Sequence, residues 1–450
     1  MFPTTALYAK FQAAGGQVST DSRQPQPGTL FFALNGPSFR GADFAAGALA
    51  KGASHAVTDD PAPAQAEPAR YTFAPDPLQA LQELAHEHRR RFRGPVLAIT
   101  GSNGKTTTKE LLTAVLATKY RVLATTGNLN NHIGVPLTLL RLRLDEHELA
   151  VVEMGANHQG EIASYCHYAE PTHGLITNIG RAHLEGFGGE AGVAQGKGEL
   201  FRYLAARGGR LFVNTLDAQL PAVAARSRAA APAGNFPTPP LLTYPGPTDT
   251  YPATLLAADP ALALRLWDGT EVAAQLTGAY NFPNLAAAAA VGAFFEVPSS
   301  AVAAALAGYN PQNNRSQVIR TARGNALLLD AYNANPSSME AALRSFARRP
   351  TPPGQPRVVV LGDMFELGEA SAAEHRALGR LLAELSQAGD LEVVLIGPEM
   401  ATAASMSPAF RHFASKPEAA EWLRQHSPQG QPVLLKGSRG MGLETLVELL

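Results

Sequence analysis

The stretch VLAITGSNGKTTTKELL, which begins at residue 96, constrains the fold of this chain more than any other feature. An apolar, strand-like segment ends at Thr100, a loop with two glycines follows, and Lys105 and Thr106 open a helical pattern. Glycines allow backbone N–H groups to curl around a phosphate, and the N-terminus of a helix adds a positive dipole. The order therefore predicts a nucleotide phosphate site, in which Lys105 reaches the β- and γ-phosphates and Thr106 binds Mg²⁺. The candidate residues are Gly101, Ser102, Asn103, Gly104, Lys105, Thr106 and Thr107.

This loop departs from the usual phosphate-loop pattern at one position. The pattern G-x-x-x-x-G-K-[ST] requires glycine at position 99, where the chain has Ile99. An ordinary glycine-rich turn from a strand to a helix is therefore the alternative interpretation.

The arrangement of strand-like and helical segments predicts an α/β protein of three domains. A length of 450 residues suits about two to three domains. Residues 1–93 mix short apolar segments with turns, which indicates a small mixed α/β domain. Residues 94–310 alternate strand and helix, which favours a parallel sheet of the P-loop ATPase type, although a Pro- and Ala-rich span over about 220–260 favours irregular structure or short edge strands. The alternation resumes over 311–450 and predicts a Rossmann-like, doubly wound domain.

The amino-acid composition limits the kinds of partner that this chain can bind. Lys and Arg total 37 against 38 Asp and Glu, so the chain has no field suited to nucleic acid or to an anionic membrane. Cys166 is the only cysteine, which excludes an intrachain disulfide and a thiolate metal cluster and favours a reducing cytosol. The longest apolar run, over 285–295, is shorter than the ~20 residues that span a bilayer, and the first residues lack a signal-peptide pattern. We expect a cytoplasmic protein.

Three titratable residues beyond the loop are candidates for a metal site. Glu153 comes just after an apolar strand, where ligands bind in open α/β sheets, and its carboxylate could hold Mg²⁺ against nucleotide phosphates. His183 follows another strand into a glycine-rich loop, and Lys197 precedes a helical pattern. Taken alone, the histidine is more typical of a hydrogen-bonding loop residue and the lysine of a solvated one.

Several longer motifs resemble the Mur ligase family. The loop TGSNGKTT is similar to the shortened phosphate loop of Mur ligases and folylpolyglutamate synthases, which accounts for Ile99. Four further motifs, GNLNNHIGVPLTLL from residue 127, EMGANHQGEI from 153, DAYNANPSSMEAAL from 330 and LGDMFELGE from 361, resemble one branch of that family. This branch joins D-alanyl-D-alanine to UDP-N-acetylmuramoyl-tripeptide in peptidoglycan synthesis. The resemblance covers essentially the whole chain, from STDSRQPQPGTLFFALNG at residue 19 to LLKGSRGMG at 434.

The resemblance implies an ATP-dependent reaction at a site between the second and third domains. Such ligases transfer the γ-phosphoryl of ATP to a substrate carboxylate, and the incoming amine then displaces phosphate from the acyl phosphate. Lys105, Thr106, Glu153 and His183 match the family's phosphate and Mg²⁺ positions, with two ions expected. Lys197 matches a lysine that is carbamylated in the family, which converts an ammonium into a carboxylate-like group near the second Mg²⁺.

The same resemblance assigns residues to ATP and to the two other substrates. Asn281 and Asn284 match positions near adenine, with helix capping as the alternative. Arg315 and Asp330 match residues that reach phosphate and ribose. Further residues are proposed to contact UDP-N-acetylmuramoyl-tripeptide and D-alanyl-D-alanine. At the UDP end these are Ser22 and Arg23, and along the peptide channel they are Asn128, Asn130 and Asn131. At the carboxyl edge of the third domain they are Asn333, Lys436, Ser438 and Arg439. In the stretch FRGADF from residue 39, the family often has an acidic residue and a histidine, and this chain has Arg40 and Ala42 there. Arg23 could instead pair with a nearby acid.

Two alternatives remain open from the sequence. A sister ligase or a folylpolyglutamate synthase is the first, although YNANP from residue 332 stands where a sister enzyme has a DNPR-type acceptor motif. A nucleotide-dependent switch protein is the second, but the chain lacks an N-K-x-D guanine motif and a task for its third domain. We expect a monomer.

Overall fold

The N-terminal part of the chain is a four-stranded parallel sheet with helices packed on it. A computed structural model describes residues 4–24, 26–231, 240–351, 354–388 and 390–450. The strands, in sheet order, are β1 (Val18–Ser19), β2 (Leu30–Phe32), β3 (His55–Thr58) and β4 (Tyr71–Phe73). The helices are α1 (Thr4–Ala13), α2 (Ala42–Ala50), α3 (Pro61–Ala66) and α4 (Pro77–Arg91). Asp76 begins α4, because its carboxylate accepts hydrogen bonds from the N–H groups of Leu78 and Gln79.

The central part is a six-stranded parallel sheet, which agrees with the predicted fold class. Its strands are β5 (Val96–Thr100), β6 (Val122–Ala124), β7 (Leu149–Glu153), β8 (His173–Ile176), β9 (Arg210–Asn214) and β10 (Leu242–Tyr244), in the order β10-β9-β8-β5-β7-β6. Every residue of β5 and β7 is buried, because helices cover both faces of the sheet. The helices between these strands are α5 (Lys105–Leu116), α6 (Gly134–Leu140), α7 (Glu161–Ala169), α8 (Leu184–Phe187), α9 (Glu190–Lys197), α10 (Glu199–Ala205) and α11 (Leu220–Ala229).

An antiparallel sheet and two helices complete the central part. The sheet consists of β11 (Thr254–Ala257), β12 (Ala263–Arg265) and β13 (Glu271–Ala273), and the helices are α12 (Phe282–Phe294) and α13 (Ser299–Gly308). The expectation of irregular structure or edge strands over about 220–260 was wrong for α11. This helix has proline in its first turn and buries Leu220, Val223 and Ala224, which outweighs the turn-like composition. The edge strand β10 agrees with that expectation, and residues 232–239 lie outside the described residues.

The C-terminal part is a doubly wound sheet of six strands. They are β14 (Gln317–Arg320), β15 (Ala326–Asp330), β16 (Arg357–Gly362), β17 (Leu391–Ile396), β18 (Arg411–Phe413) and β19 (Pro432–Lys436), in the order β14-β15-β19-β16-β17-β18. Only the edge strand β14 is antiparallel to its neighbour. The helices are α14 (Pro336–Phe346), α15 (Ser371–Ala388), α16 (Met400–Ala404) and α17 (Lys416–Gln425).

The carboxyl ends of strands from two sheets face each other across one cleft. Strands β5 and β7 of the central sheet and β15 and β19 of the C-terminal sheet all end at residues that line it or adjoin it. Parallel strands bring their carboxyl ends to one edge, so this edge collects the loops that carry polar side chains. The helices of the described ranges include none that combines the length and the apolar composition of a membrane-spanning segment.

Candidate active site

A cavity of about 650 Å³ lies in this cleft, between the central and C-terminal sheets. Most of the residues predicted for nucleotide, metal and substrate line it: Ser102, Asn103, Gly104, Lys105, Thr106, Thr107, Asn128, Asn130, Asn131, Glu153, His183, Asn281, Asn284, Arg315, Asp330, Asn333 and Lys436. The predicted residues that are not among its lining residues are Gly101, Lys197, Ser438, Arg439, Ser22 and Arg23.

The phosphate loop is held by hydrogen bonds and by close packing at its glycines. Gly104 has φ +77° and begins α5, and Gly101 has φ +142°, both in the region that side chains rarely adopt. A Cβ at Gly101 would lie 2.0 Å from the Thr177 hydroxyl, so no side chain fits there. The loop N–H of Asn103 donates to the Asn178 side-chain oxygen at 3.0 Å. The backbone is therefore fixed in the strand-loop-helix form that binds phosphate.

Lys105 lies within this loop, with its amine turned towards the loop carbonyls. Its Nζ donates to the carbonyl oxygens of Gly101 at 2.7 Å and Ser102 at 3.1 Å, which leaves a third N–H for an anion. Burial lowers the pKa of Lys105 to about 8, the nearby carboxylate of Glu153 opposes this, and Arg315 lowers the pKa further. A cation held in this way gains stability when a negatively charged phosphate arrives.

Glu153 has one oxygen bonded and one without a partner. It is 1% exposed at the end of β7, and its Oε1 accepts from Asn130 Nδ2 at 2.8 Å and from Thr106 Oγ1 at 3.2 Å. Its Oε2 is buried and has no hydrogen-bond partner within the described residues. A buried carboxylate oxygen without a partner is unfavourable, so its position beside the Thr106 hydroxyl fits a bound divalent cation.

His183 contacts the C-terminal part through its ring. It has φ +53° immediately before α8, and its Nδ1 lies 2.5 Å from Glu366 Oε2. Contact with His183 holds the pKa of the Glu366 carboxyl below its usual range. The pairing uses one ring nitrogen and leaves Nε2 as the atom that could reach a ligand. The described residues contain no cluster of three or more His, Cys, Asp or Glu that could hold a metal.

Lys197 lies behind the wall of the cavity. It is 0% exposed at the end of α9, and its Nζ donates to the carbonyl of Ala156, a cavity-lining residue, at 2.9 Å. The amine also lies 4.7 Å from the centre of the Phe187 ring. Burial lowers the pKa of Lys197 well below its usual value, and the charge of Lys105 lowers it further. The carboxylates of Glu161 and Glu199 act in the opposite direction and raise the pKa. The interpretation of Lys197 as a solvated surface lysine is therefore wrong.

Asn281 and Asn284 tie α12 to the helix of the phosphate loop. Asn281 Nδ2 donates to the Thr277 carbonyl at 2.9 Å, Asn284 Nδ2 donates to Asn281 Oδ1 at 3.0 Å, and Thr108 Oγ1 donates to Asn284 Oδ1 at 3.1 Å. Neither side chain caps α12, since the residue before that helix makes no side-chain cap bond. The capping alternative is thus wrong, and both residues lie on the cavity wall instead.

The C-terminal sheet contributes a buried ion pair and an aromatic stack. Lys436 Nζ lies 2.6 Å from Asp330 Oδ2, so these two predicted ligands neutralise each other. The Arg315 guanidinium lies 3.6 Å from the centre of the Tyr332 ring, and that of Arg439 lies 4.9 Å from it. Within the described residues neither arginine has a carboxylate partner. Arg315 lines the cavity, whereas Arg439 is not among its lining residues.

Other predicted substrate residues have structural partners. Ser438 is buried and its Oγ accepts from the N–H of Phe365 at 2.9 Å. Asn333 lines the cavity, and its carbonyl accepts from Lys436 Nζ at 3.0 Å. Asn131 accepts from the N–H groups of Ile133 and Gly134, a pattern typical of an asparagine in a turn. Asn128 lines the cavity as well.

Ser22 and Arg23 lie apart from the cavity, in the N-terminal part. Arg23 pairs with Asp21, with Nε 2.8 Å from Oδ1, which is the pairing that the sequence left open. Arg23 lowers the pKa of Asp21 to about 2. The Lys51 amine donates to the Ser22 carbonyl at 2.6 Å.

Comparison with known proteins decides the family. Three family models match in order: "Mur ligase family, catalytic domain" over residues 16–89, "Mur ligase middle domain" over 99–237, and "Mur ligase, glutamate ligase domain" over 314–439. The UDP-N-acetylmuramoyl-tripeptide–D-alanyl-D-alanine ligase of Escherichia coli is 36% identical over 444 residues, with 96% of this chain and 93% of that protein covered. The chain belongs to the Mur ligase family.

Other relatives agree along the whole length. The ligase of the same description from Bacillus subtilis is 31% identical, with 96% of this chain and 92% of that protein covered. A crystal structure of MurF from Acinetobacter baumannii is 31% identical with a TM-score of 0.84, covering 97% of this chain and 96% of that one. MurF ligase from Thermotoga maritima, solved in complex with ADP, has a TM-score of 0.80 at 26% identity, with 96% of each chain covered. The three-domain fold class predicted from the sequence is confirmed by these neighbours.

The sequence did not single out several residues that the structure places at the Mur ligase cleft. Asn335 Nδ2 donates to Asn103 Oδ1 at 2.7 Å across the two sheets, and the Tyr332 ring contacts two guanidinium groups. Arg181 and Glu366 join the central part to the C-terminal part. Asn335 had a local signal, since N-P-S-S predicts a capped helix start, but its contact with the phosphate loop spans 232 residues.

Proposed function

We propose that this Mur ligase uses ATP to join D-alanyl-D-alanine to UDP-N-acetylmuramoyl-tripeptide, through an acyl phosphate, in cytoplasmic synthesis of peptidoglycan precursor. The observation that carries the proposal is one cavity that is lined by a phosphate loop, by cations of a second domain and by Glu153, whose Oε2 has no partner in the described part of the chain. Each of these groups suits one need of the reaction: holding a triphosphate, neutralising its charge and receiving a carboxylate substrate.

Transfer of the γ-phosphoryl group comes first. The substrate carboxylate attacks phosphorus, the bond to the β-phosphate oxygen breaks, and ADP leaves with that electron pair. Lys105 and the N–H groups of the phosphate loop stabilise the charge of the transferring group. Arg315 faces the cavity from the third domain and adds a cation, while Asn281 and Asn284 form the wall that we assign to adenine.

The site residues fit Mg²⁺, which in phosphoryl transfer neutralises phosphate oxygens. Thr106 and Glu153 would hold one ion through the hydroxyl and the unpartnered Oε2. His183 would contribute Nε2 to a second, and its pairing with Glu366 fixes the ring.

Carbamylation of Lys197 would supply a further negative charge. The neutral amine attacks CO₂, a C–N bond forms, and one proton is released, so the ammonium is replaced by an anionic group. The low pKa of Lys197 favours the neutral amine that this reaction needs. Ala156, whose carbonyl accepts from Lys197, lines the cavity, so the modified group would act at that wall.

Amide formation follows at the third domain. The amine of D-alanyl-D-alanine attacks the acyl carbon, phosphate leaves with the electron pair of the C–O bond, and the amine loses a proton. Since Lys436 is paired with Asp330, we assign the carboxylate of the acceptor to Arg439, which the Tyr332 ring positions. The asparagines at 128, 130 and 131 would contact the muramoyl peptide, and the N-terminal domain, including Ser22 and Arg23, its UDP end.

A phosphate-release assay with a panel of amines tests the proposal. Protein, ATP and UDP-N-acetylmuramoyl-tripeptide are combined with D-alanyl-D-alanine, D-alanine or glutamate, and the product mass is measured. We expect phosphate release and a new amide only with D-alanyl-D-alanine. Release that is independent of the amine, or faster with glutamate, would refute the proposed reaction.

A further inference from the structure

The segment 177–183 fastens the phosphate loop from one side. Thr177 Oγ1 donates to the Asn103 carbonyl at 2.6 Å. Ser102 Oγ donates to the Gly180 carbonyl at 3.0 Å and accepts from the Gly180 N–H at 2.9 Å. The position of the phosphate loop therefore follows the position of this segment.

Arg181 fastens the same segment to the C-terminal part. Its Nη1 lies 2.9 and 3.2 Å from the two carboxylate oxygens of Glu374 on α15, and its Nη2 lies 3.2 Å from Glu340 Oε2 on α14. Its backbone N–H donates to Ser337 Oγ at 2.8 Å. The Arg181 side chain is 30% exposed and that of Glu374 is 14% exposed, so this pair is shielded more than an ordinary surface ion pair.

Arg181 acts beside the cavity rather than in it. It lines a separate cavity of about 260 Å³ with Glu340, Arg344 and Glu374, and it is not among the residues that line the 650 Å³ cavity. Two residues further along the chain, His183 pairs with Glu366 of the same C-terminal part. One short segment thus contacts the phosphate loop on one side and two helices of the C-terminal sheet on the other.

We propose that Arg181 is a positioning residue for the ligase reaction. Its guanidinium holds α14 and α15 against segment 177–183, and this keeps the phosphate loop, His183 and the third-domain groups Arg315 and Asp330 facing one cavity. The inference rests on the proposed function, because it assumes a reaction that needs groups from both domains at once.

Arg344 provides a matched control. Its Nε donates to the same Glu340 at 3.0 Å, and it lies 3.6 Å from Glu384, so both of its partners belong to the C-terminal part. Arg344→Ala therefore removes an arginine from the same carboxylate without releasing the central domain. Arg181→Lys keeps the charge but lacks the planar fork that reaches both glutamates, so its effect should be intermediate.

The test measures kcat and KM for each substrate by phosphate release, together with the radius of gyration of each protein by small-angle scattering. We expect Arg181→Ala to lower kcat by about tenfold or more and to increase the radius of gyration, with KM of the muramoyl substrate changed by less than about twofold. Arg344→Ala should stay within about twofold of wild type in kcat, with an unchanged radius.

Two results would overturn the inference. One is a kcat of Arg181→Ala within about twofold of wild type, and the other is an equal loss in Arg344→Ala, which would point to a general loss of charge pairs. If wild type formed no amide with any amine, the proposed function would fail, while the scattering comparison would still decide whether Arg181 holds the domains together.

Discussion

Glu153→Gln should lower the rate of ligation about 100-fold or more while changing the stability of the ligand-free protein little. The substitution keeps the shape of the side chain and an oxygen for Asn130 and Thr106, but it removes the charge and the acceptor at Oε2. Replacing a residue that contributes to the fold lowers the free energy of unfolding of the protein. Replacing a residue that only binds a ligand need not lower it. We therefore expect a large loss of activity without a matching loss of the free energy of unfolding.

The magnitudes follow from burial and charge. Glu153 is 1% exposed and its Oε2 has no partner among the described residues, and a buried polar group in this state costs ~1–3 kcal/mol. The amide N–H group that takes the place of Oε2 would also lack a partner, and the lost attraction to Lys105 offsets the relief of removing a buried charge, so the net change in stability should stay within about 1 kcal/mol. A unit charge at ~4 Å from a divalent cation, in an effective dielectric of ~20, interacts by about 8 kcal/mol before screening. A remaining loss of ~3 kcal/mol in the transition state already lowers the rate about 100-fold.

The assay compares the variant with a buried glutamate whose oxygens are both bonded. Glu199 accepts from the N–H of Gly160 at 2.6 Å and from that of Ala163 at 2.9 Å, so Glu199→Gln should lower stability. Urea unfolding without nucleotide gives the stability of each protein, and phosphate release over a Mg²⁺ titration gives the activity. Glu153→Gln retaining more than about a tenth of the wild-type rate, or losing stability as Glu199→Gln does, would refute the assignment.

Three further predictions concern other residues. Lys197→Ala should lose about 100-fold or more in kcat, and bicarbonate should raise the rate of CO₂-depleted wild type; a near-normal rate of the variant would contradict carbamylation. Arg439→Ala should raise KM for D-alanyl-D-alanine about tenfold but leave KM for the C-terminal amide of this dipeptide unchanged. Arg411 serves as the control, because its guanidinium lies 4.6 Å from the Trp422 ring centre, and Arg411→Ala should change neither KM. Equal effects of Arg439→Ala on both acceptors would contradict the carboxylate contact. Burial lowers the pKa of His55 to about 4 from 6.5, so below pH 6.5 the unfolded chain binds more protons and stability falls, by about 2 kcal/mol at pH 5. His55→Gln should remove that loss in urea unfolding at pH 7.5 and 5, and an unchanged pH dependence would contradict it.

The local sequence pattern was sufficient to predict the phosphate loop and the alternation of strands and helices. Glycine at 101 and 104, Lys105 and Thr106 lie within six residues, so their relation depends on backbone geometry that the sequence encodes directly. The position of Glu153 also follows from sequence, because the end of a buried strand in a parallel sheet lies at the ligand-binding edge. The helix α11 was missed because its burial, rather than its composition, decides its structure.

Tertiary structure decided which charged groups are free and which are neutralised. The sequence presents Lys436 and Asp330 as separate ligands, but strands β15 and β19 lie side by side and place the two groups 2.6 Å apart. It presents Lys197 as a lysine before a helix, but packing removes it from water and shifts its pKa. Arg181, an unremarkable residue in sequence, meets Glu374 across 193 residues of chain. The physical reason is that Coulomb energy and desolvation depend on distances between remote segments, which local patterns of residues do not specify.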